Sequence, residues 1–432
     1  MKIALSPVTA VCCDAQFKII DNAAIHIESG RISYVGPLET APEFEADETL
    51  GGEHLVAMPG LVNTHTHAAM TLCRGYADDM ALEPWLNEKI WPFERNLTAQ
   101  HVYQGTLLAI AEMLRGGTTT FCDMYFHERE GARAAIESGI RMCPGAVLLG
   151  FLPGADQKIR AARDFVLELR GAGDGRITPF LAPHSLYTCD APQWQKIIAV
   201  ARETGAFITT HASETEREVA DVTRDWGQSP IQSLQRIGAL EAPLLAAHCV
   251  HTDELDREIM QSSPFFVAHN PQSNLKLASG IAPIADYLRR GITVGVAPDG
   301  PASNNNLDMW EEMRLAATLH KAATGDPTAV SARQALLMAT IEGAKCVGLE
   351  TQIGSLEKGK KADICLVDFD QPHLTPRHNV VSNLVYAAGA SDVHSLLVDG
   401  RWMVKKGELQ TVDIAKVCAQ AREMARELAR LA

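Results

Sequence analysis

The sequence of 432 residues predicts an α/β fold, a (β/α)8 TIM-like barrel with a small β-sandwich domain built from both chain ends. Apolar runs alternate with helical patterns in the middle of the chain, hairpin signals lie near both ends, and polar residues end several of the apolar runs. The expected parts are residues 1–57 and 353–412 for the small domain, 58–352 for the barrel and 413–432 for a C-terminal helix.

Both chain ends carry β-hairpin signals. Residues 24–27 and 32–35 are apolar runs on either side of a turn that contains Gly30, and the pair Asp399-Gly400 separates two apolar runs near the C-terminus. Two β segments that flank one long middle are most simply explained if they pair with each other. We therefore expect one small domain assembled from both ends.

The middle of the chain contains eight apolar runs, each followed by a polar loop and a helix-like stretch. They span residues 60–65, 118–123, 142–149, 177–183, 206–211, 244–248, 265–269 and 293–297. This alternation favours a (β/α)8 barrel over an open doubly wound sheet, for which a Gly-x-Gly-x-x-Gly turn would also be expected. A barrel brings the carboxyl ends of all its strands to one face, so polar residues there are candidates for one shared site.

Composition excludes several classes of function. The chain has 39 Lys and Arg against 53 Asp and Glu, a net charge of −14, which disfavours nucleic acids and anionic membranes as partners. No apolar run is long enough for a membrane span or a secretory signal. Ten cysteines without a Cys-x-x-Cys pair indicate reduced, buried thiols. We therefore expect a cytoplasmic protein with a small-molecule substrate; a homo-oligomer is compatible with the sequence.

Histidines and one aspartate stand at the ends of four predicted strands. His65 and His67 are two residues apart, so both side chains can face one metal ion, while His211, His248 and Asp299 end later strands. Each residue alone is also compatible with a polar strand end, a helix cap, a core histidine or an Asp-Gly turn. Three histidines and an aspartate together suit Zn²⁺, or less well Fe²⁺, with a water whose pKa the metal lowers to about 7.

Two further polar residues lie near this predicted centre. Glu214 lies three residues after His211, in the loop that follows the predicted strand. It is close enough to act beside a metal without binding it. The fourth predicted strand ends at His184, where a hydrolase with two metal ions would place a carboxylated lysine. The sequence therefore favours one metal ion.

Several strings resemble the amidohydrolase superfamily. They are PGLVNTHTH (59–67), AAHCVH (246–251), VAHNPQSNLKL (267–277) and DGPASNN (299–305). Within that superfamily, residues 75–80, Trp85, 91–94 and 123–128 resemble the 5'-methylthioadenosine/S-adenosylhomocysteine deaminases. The resemblance covers nearly the whole chain, although guanine deaminases and triazine hydrolases share much of this framework.

The resemblance implies a metal-dependent aminohydrolase that acts on C–N bonds of cyclic amidines. A metal-activated water would deaminate 5'-methylthioadenosine, adenosine and S-adenosylhomocysteine at purine C6, releasing ammonia and the inosine analogue. The implied metal ligands are His65, His67, His211 and Asp299. Glu214 would protonate purine N1 and shuttle a proton to the leaving amine, and His248 would orient the attacking water with help from Asp299.

The resemblance also implies the residues that bind substrate. Glu94 would accept hydrogen bonds from the ribose hydroxyls, because a carboxylate can accept from both hydroxyls of a diol. His184 would reach the base or the sugar, and Trp85 and Ser303 would line the pocket, with Trp85 able to stack on the purine.

One departure bears on the choice of substrate. Relatives that accept S-adenosylhomocysteine are expected to hold its amino-acid carboxylate with arginines after the third strand, yet residues 146–157 contain no Arg or Lys. Arg160 and Arg163 follow on a predicted helix surface. We therefore expect 5'-methylthioadenosine and adenosine as the better substrates. A guanine deaminase or s-triazine-type hydrolase is the alternative, and a catalytically silent barrel that acts as a binding protein is a remote one.

Overall fold

The computed structural model describes residues 1–431, and the chain begins with strands of the small domain. They are β1 (Lys2–Val11), β2 (Ile19–Glu28), β3 (Arg31–Pro37), β4 (Glu48–Leu50) and β5 (Leu55–Pro59). β2 and β3 form the predicted antiparallel hairpin, and Gly30 in its turn has a φ of +77°. A Cβ atom there would lie 2.7 Å from the carbonyl oxygen of Asp399, so the turn needs glycine.

Eight parallel strands follow and form the barrel. They are β6 (Leu61–Thr66), β7 (Thr118–Asp123), β8 (Arg141–Leu148), β9 (Phe180–Pro183), β10 (Ile208–Ala212), β11 (Leu244–His248), β12 (Phe265–His269) and β13 (Thr293–Val296). They pair in sequence order. Thr64 in β6 donates to the carbonyl oxygen of Val296 at 3.3 Å, and Thr66 donates to that of Asp299 at 2.8 Å. These bonds link the first strand to the last, which confirms the predicted barrel.

The chain ends return to one mixed sheet. The C-terminal strands are β14 (Ile364–Asp368), β15 (Val393–Val398), β16 (Arg401–Lys405) and β17 (Glu408–Leu409). β14 pairs antiparallel with β5, so that Ile364 lies opposite Pro59, and nine strands from both ends form the sheet. The expected pairing of the two ends is confirmed.

Helices cover the barrel and fill its loops. They are α1 (Leu82–Pro84), α2 (Trp91–Glu94), α3 (Ala99–Arg115), α4 (Glu128–Ser138), α5 (Ala155–Leu169), α6 (Ala172–Gly175), α7 (Ala191–Thr204), α8 (Glu216–Trp226), α9 (Pro230–Arg236), α10 (Glu254–Ser262), α11 (Pro271–Lys276), α12 (Ile284–Arg289), α13 (Met309–Thr324), α14 (Ala332–Met338), α15 (Ile341–Cys346), α16 (Val380–Tyr386) and α17 (Ile414–Leu431). A π-helical segment, Trp85–Ile90, joins α1 to α2. Within residues 1–431, no helix has the length and apolar character that a membrane crossing requires.

Barrel strands are buried on both faces. In β11, Leu244 and Ala246 belong to the large core cluster shared with the surrounding helices, whereas Leu245 and Ala247 belong to a separate cluster with Val62 of β6. The alternation has the two-residue period of a strand, with apolar side chains on each face. This double burial explains why the barrel strands are continuous apolar runs in the sequence.

A buried ion cluster joins the barrel to the small domain. Arg141, at the start of β8, is 1% exposed and donates to both carboxylate oxygens of Asp363 at 3.1 Å and to Asp399 at 2.9 Å. Removing one member of such a cluster leaves the other charges buried without a partner.

We expect Arg141→Met to destabilise the protein by about 3–5 kcal/mol, because the buried carboxylate of Asp363 loses its cation, whereas Asp399 keeps Lys361 at 3.1 Å. Urea unfolding followed by circular dichroism measures the shift. Arg163→Met is the matched control, since Arg163 is an exposed residue that pairs with Glu203 at the surface. An unfolding midpoint for Arg141→Met equal to that of the control would contradict the expectation.

Candidate active site

The carboxyl ends of the barrel strands bring the predicted metal ligands together. His65 lies in β6 and His67 directly after it, His211 lies in β10, and Asp299 follows β13. Asp299 Oδ1 is 3.4 Å from His65 Nε2 and 3.3 Å from His67 Nε2, and His67 Nε2 is 3.3 Å from His211 Nε2. Four potential ligand atoms from three separate strand ends thus meet at one point.

Backbone carbonyls fix the tautomers of two of these histidines. His67 Nδ1 donates to the carbonyl oxygen of Met124 at 2.6 Å, and His211 Nδ1 donates to that of His184 at 2.8 Å. A carbonyl oxygen only accepts, so Nδ1 carries the proton and the Nε2 lone pair of each ring faces the centre. This is the usual arrangement of histidines that bind a metal.

The remaining donor atoms are buried without partners. Both ring nitrogens of His65 and Oδ1 of Asp299 have no hydrogen-bond partner among residues 1–431. Burial lowers the pKa of His65 to about 4, so its ring is neutral at pH 7. Burial alone would raise the pKa of Asp299, but the surrounding histidines hold it well below its usual range. Neutral imidazoles and one carboxylate form a donor set that fits a divalent ion such as Zn²⁺.

Glu214 and His248 lie next to these donors. Glu214 Oε2 is 3.7 Å from His248 Nε2, and burial raises the pKa of the Glu214 carboxyl group. The backbone is left-handed at Ser213, His248 and Asp299, with φ values of +55°, +72° and +64°. Non-glycine residues in this region are strained, and such strain concentrates at functional sites.

The other predicted residues line the same pocket. His184, Trp85 and Ser303 share its wall with His67, His211 and Asp299. Trp85 is buried in the π-helical segment, where its indole Nε1 donates to the carbonyl oxygen of Ala77 at 3.0 Å. Burial lowers the pKa of His184 to about 3, so its ring is a neutral donor or acceptor at pH 7.

Glu94 presents an unpaired carboxylate oxygen to this pocket. Its Oε1 atom is buried and has no hydrogen-bond partner among residues 1–431. Burial raises the pKa of Glu94 to about 7, against a hydrogen bond from Tyr125 that lowers it. A buried acceptor without a donor is costly, so a ligand that brings hydroxyl groups would satisfy it.

A second cavity of about 620 Å³ adjoins the first beyond Glu94. Its wall is mostly apolar and includes Trp91, Phe126, Leu149 and Phe151. Three cations that the sequence analysis did not single out, Arg95, Arg129 and Lys158, also line it. Lys158 lies one residue beyond the 146–157 window, which is why the search for a cation after the third strand did not include it. Arg163, by contrast, pairs with Glu203 and Asp164 on the exterior of α5.

Comparison with known proteins gives one family and one fold. The model of the amidohydrolase family matches residues 56–403. A 5-methylthioadenosine/S-adenosylhomocysteine deaminase of Dictyoglomus thermophilum is 50% identical over 382 residues, which cover 88% of this chain and 89% of the relative. The structure of an adenosine deaminase of Xanthomonas campestris with bound zinc has a TM-score of 0.96 at 35% identity, covering 100% and 99% of the two chains. An atrazine chlorohydrolase of Arthrobacter aurescens, with a TM-score of 0.90 at 23% identity over 98% and 100% of the chains, shares the fold.

Proposed function

Because the chain belongs to the amidohydrolase family, as its motifs predicted, we propose that it deaminates 5'-methylthioadenosine and adenosine at purine C6 by hydrolysis. One observation carries the proposal. Four metal donors, a buried carboxyl group at Glu214 and an unpaired carboxylate at Glu94 lie around one pocket. The deaminase activity named for the relative at 50% identity supports the same reaction.

His65, His67, His211 and Asp299 would hold one divalent ion, which we assign as Zn²⁺, with Fe²⁺ as the alternative. When bound, such an ion lowers the pKa of water to about 7 and so supplies a nucleophile at neutral pH. The zinc in the Xanthomonas campestris adenosine deaminase structure supports the assignment.

Glu214 and His248 would move the protons. Burial raises the pKa of the Glu214 carboxyl group, which favours its protonated form, and that form would donate its proton to purine N1 as water attacks C6. His248 would orient that water. The Glu214 carboxylate would then accept one proton of the added water and transfer it to the amine. As the C6–N bond breaks and ammonia leaves, Glu214 would take the second proton of the water and the C6 carbonyl forms. His184 would bind the substrate from the opposite wall.

Glu94 and the adjoining cavity would select the rest of the substrate. A ribose diol donates the hydrogen bonds that Oε1 of Glu94 lacks, whereas guanine or a triazine has no such diol. The apolar wall beyond Glu94 suits a 5'-methylthio group. Arg129 is held by Glu168 at 2.7 Å, and Arg95 and Lys158 are exposed, so these three cations lie at the rim. We therefore rank 5'-methylthioadenosine and adenosine above S-adenosylhomocysteine.

A screen of ammonia release tests this function. Zinc-loaded protein is incubated with 5'-methylthioadenosine, adenosine, S-adenosylhomocysteine, guanine and an s-triazine, and kcat/KM is measured for each. We expect the first two to have the highest values. A clear preference for guanine or the triazine would overturn the nucleoside assignment, and no turnover with stoichiometric zinc would favour a silent barrel.

The ionisation of Glu94 gives a pH prediction. Because its pKa is raised to about 7, the carboxylate that accepts the ribose hydroxyls is lost as the pH falls through 7, and kcat/KM for adenosine should fall with it. Glu94→Gln should lower kcat/KM about 10- to 100-fold at pH 8, because hydrogen bonds to a charged group contribute a free energy of that size. The matched control is Glu241→Gln, at an exposed residue that should leave the profile unchanged. An unaltered kcat/KM in Glu94→Gln would contradict the proposal that Glu94 binds the ribose hydroxyls.

We infer that the protein works in the cytoplasm or another reducing compartment. Nine of its ten cysteines are buried, and residues 1–431 contain no disulfide. Its small-molecule partner would be the nucleoside, and the net charge of −14 disfavours nucleic acids and membrane surfaces; a homo-oligomer is compatible with the sequence.

A further inference from the structure

Residues 271–280, which comprise α11 and the turn after it, contact three residues of the candidate site. Ser273, Asn274 and Ser279 are 0%, 1% and 4% exposed. Each makes a side-chain hydrogen bond to a different residue to which the proposed function gives a role. We propose that this positioning segment holds Asp299, His248 and Glu214 in their working orientations, an inference that rests on the proposed function.

Ser273 orients the carboxylate of Asp299. Its Oγ donates to Asp299 Oδ2 at 2.7 Å, and Ser303 Oγ donates to the same oxygen at 2.9 Å. Oδ2 is therefore occupied, and Oδ1 is the oxygen that faces His65 and His67. Two donors on one oxygen fix the rotation of the carboxylate and leave the other oxygen free for a metal.

Asn274 sets the tautomer of His248. Its Oδ1 atom lies 2.8 Å from His248 Nδ1. An amide oxygen only accepts, so Nδ1 of His248 carries a proton, and in the neutral ring the Nε2 lone pair faces Glu214. The His248 ring can then accept a hydrogen bond from a water between it and the substrate, which the other tautomer could not do.

Ser279 completes the set and depends on the geometry of the turn. Its Oγ donates to Glu214 Oε1 at 3.2 Å, and its backbone N–H donates to the carbonyl oxygen of Asn274 at 2.8 Å. Gly280 follows with a φ of +120°, and a Cβ atom there would lie 2.9 Å from Val250. The turn is thus tightly packed, and it returns the chain from α11 to Glu214.

Single substitutions test the three contacts separately. In zinc-loaded Ser273→Ala, Asn274→Leu and Ser279→Ala, we expect kcat to fall about 10- to 100-fold. We expect KM for adenosine to change less than about threefold, because these side chains act on reacting groups and not on ribose binding. Only Ser273→Ala should lose zinc faster during dialysis, since only Ser273 holds a metal ligand. Asn274→Asp keeps an acceptor oxygen and should recover most of the kcat lost in Asn274→Leu.

The control is Ser233→Ala. It removes a buried hydroxyl group that donates to the carbonyl oxygen of Gln228 in α9 and its preceding turn, and it should keep the wild-type kcat. If the three variants had the same kcat as the wild type, the role proposed for the positioning segment would be overturned, while the deaminase function would stand. Wild-type protein that deaminates no nucleoside would instead refute the proposed function. The ¹⁵N shifts of the His248 ring in the folded wild-type protein test this contact without any variant: a protonated Nδ1 supports the proposal, and an unprotonated Nδ1 overturns it.

Discussion

Glu214→Gln should lower kcat for adenosine by about 100- to 10,000-fold, the usual contribution of a general acid and base. The amide keeps the shape of the side chain but can neither give a proton to purine N1 nor take one from water. KM and zinc content should stay close to the wild-type values, because Glu214 is not among the proposed metal ligands. Steady-state kinetics of ammonia release and metal analysis of the same sample measure both.

The matched control is Glu216→Gln, two residues further along, where the side chain is exposed on α8. It should retain wild-type kcat. If Glu214→Gln kept more than about a tenth of the wild-type kcat, the proton would have to come from another group, because loss of an essential acid costs at least about 100-fold.

Asp299→Ala should abolish both zinc retention and turnover. The substitution removes the only carboxylate of the proposed set and leaves three histidines around the centre. We expect kcat/KM to fall by at least about 1,000-fold, because a bound metal contributes several kcal/mol to transition-state stabilisation. Metal analysis after dialysis and the ammonia assay together check this result.

Asp164→Ala at the surface of α5 provides the control and should keep its zinc. Asp299→Ala protein with a full equivalent of zinc and wild-type kcat/KM would remove Asp299 from the metal site. Its contacts with Ser273 and Ser303 would then need another explanation.

Barrel strands could be predicted well because both of their faces are buried. The runs at 118–123, 244–248 and 265–269 match β7, β11 and β12 residue for residue. The predicted run at 177–183 starts too early, since β9 begins only at Phe180. Ile177 makes an isolated bridge to Met142, and Pro179 lacks the N–H that would continue the ladder.

The pairing of the two chain ends could be predicted only in part. Hairpin signals near Gly30 and Asp399 predicted the small domain, but the place where its two halves meet could not be read from them. β5 and β14 pair across about 300 residues, with Ile364 opposite Pro59. Register over such a distance is decided by which apolar faces share a core, and local turn signals carry no information about that.

The sequence by itself determined the fold class and the residue types of the candidate site. Histidines and an aspartate at strand ends can be recognised because a parallel barrel brings all those ends to one face. Only the tertiary structure decided which oxygen of Asp299 is free, which nitrogen of His248 carries the proton, and that Glu94 lacks a donor. These properties depend on atoms that are distant in sequence and only a few ångströms apart in space, and hydrophobic periodicity reports burial but not such contacts.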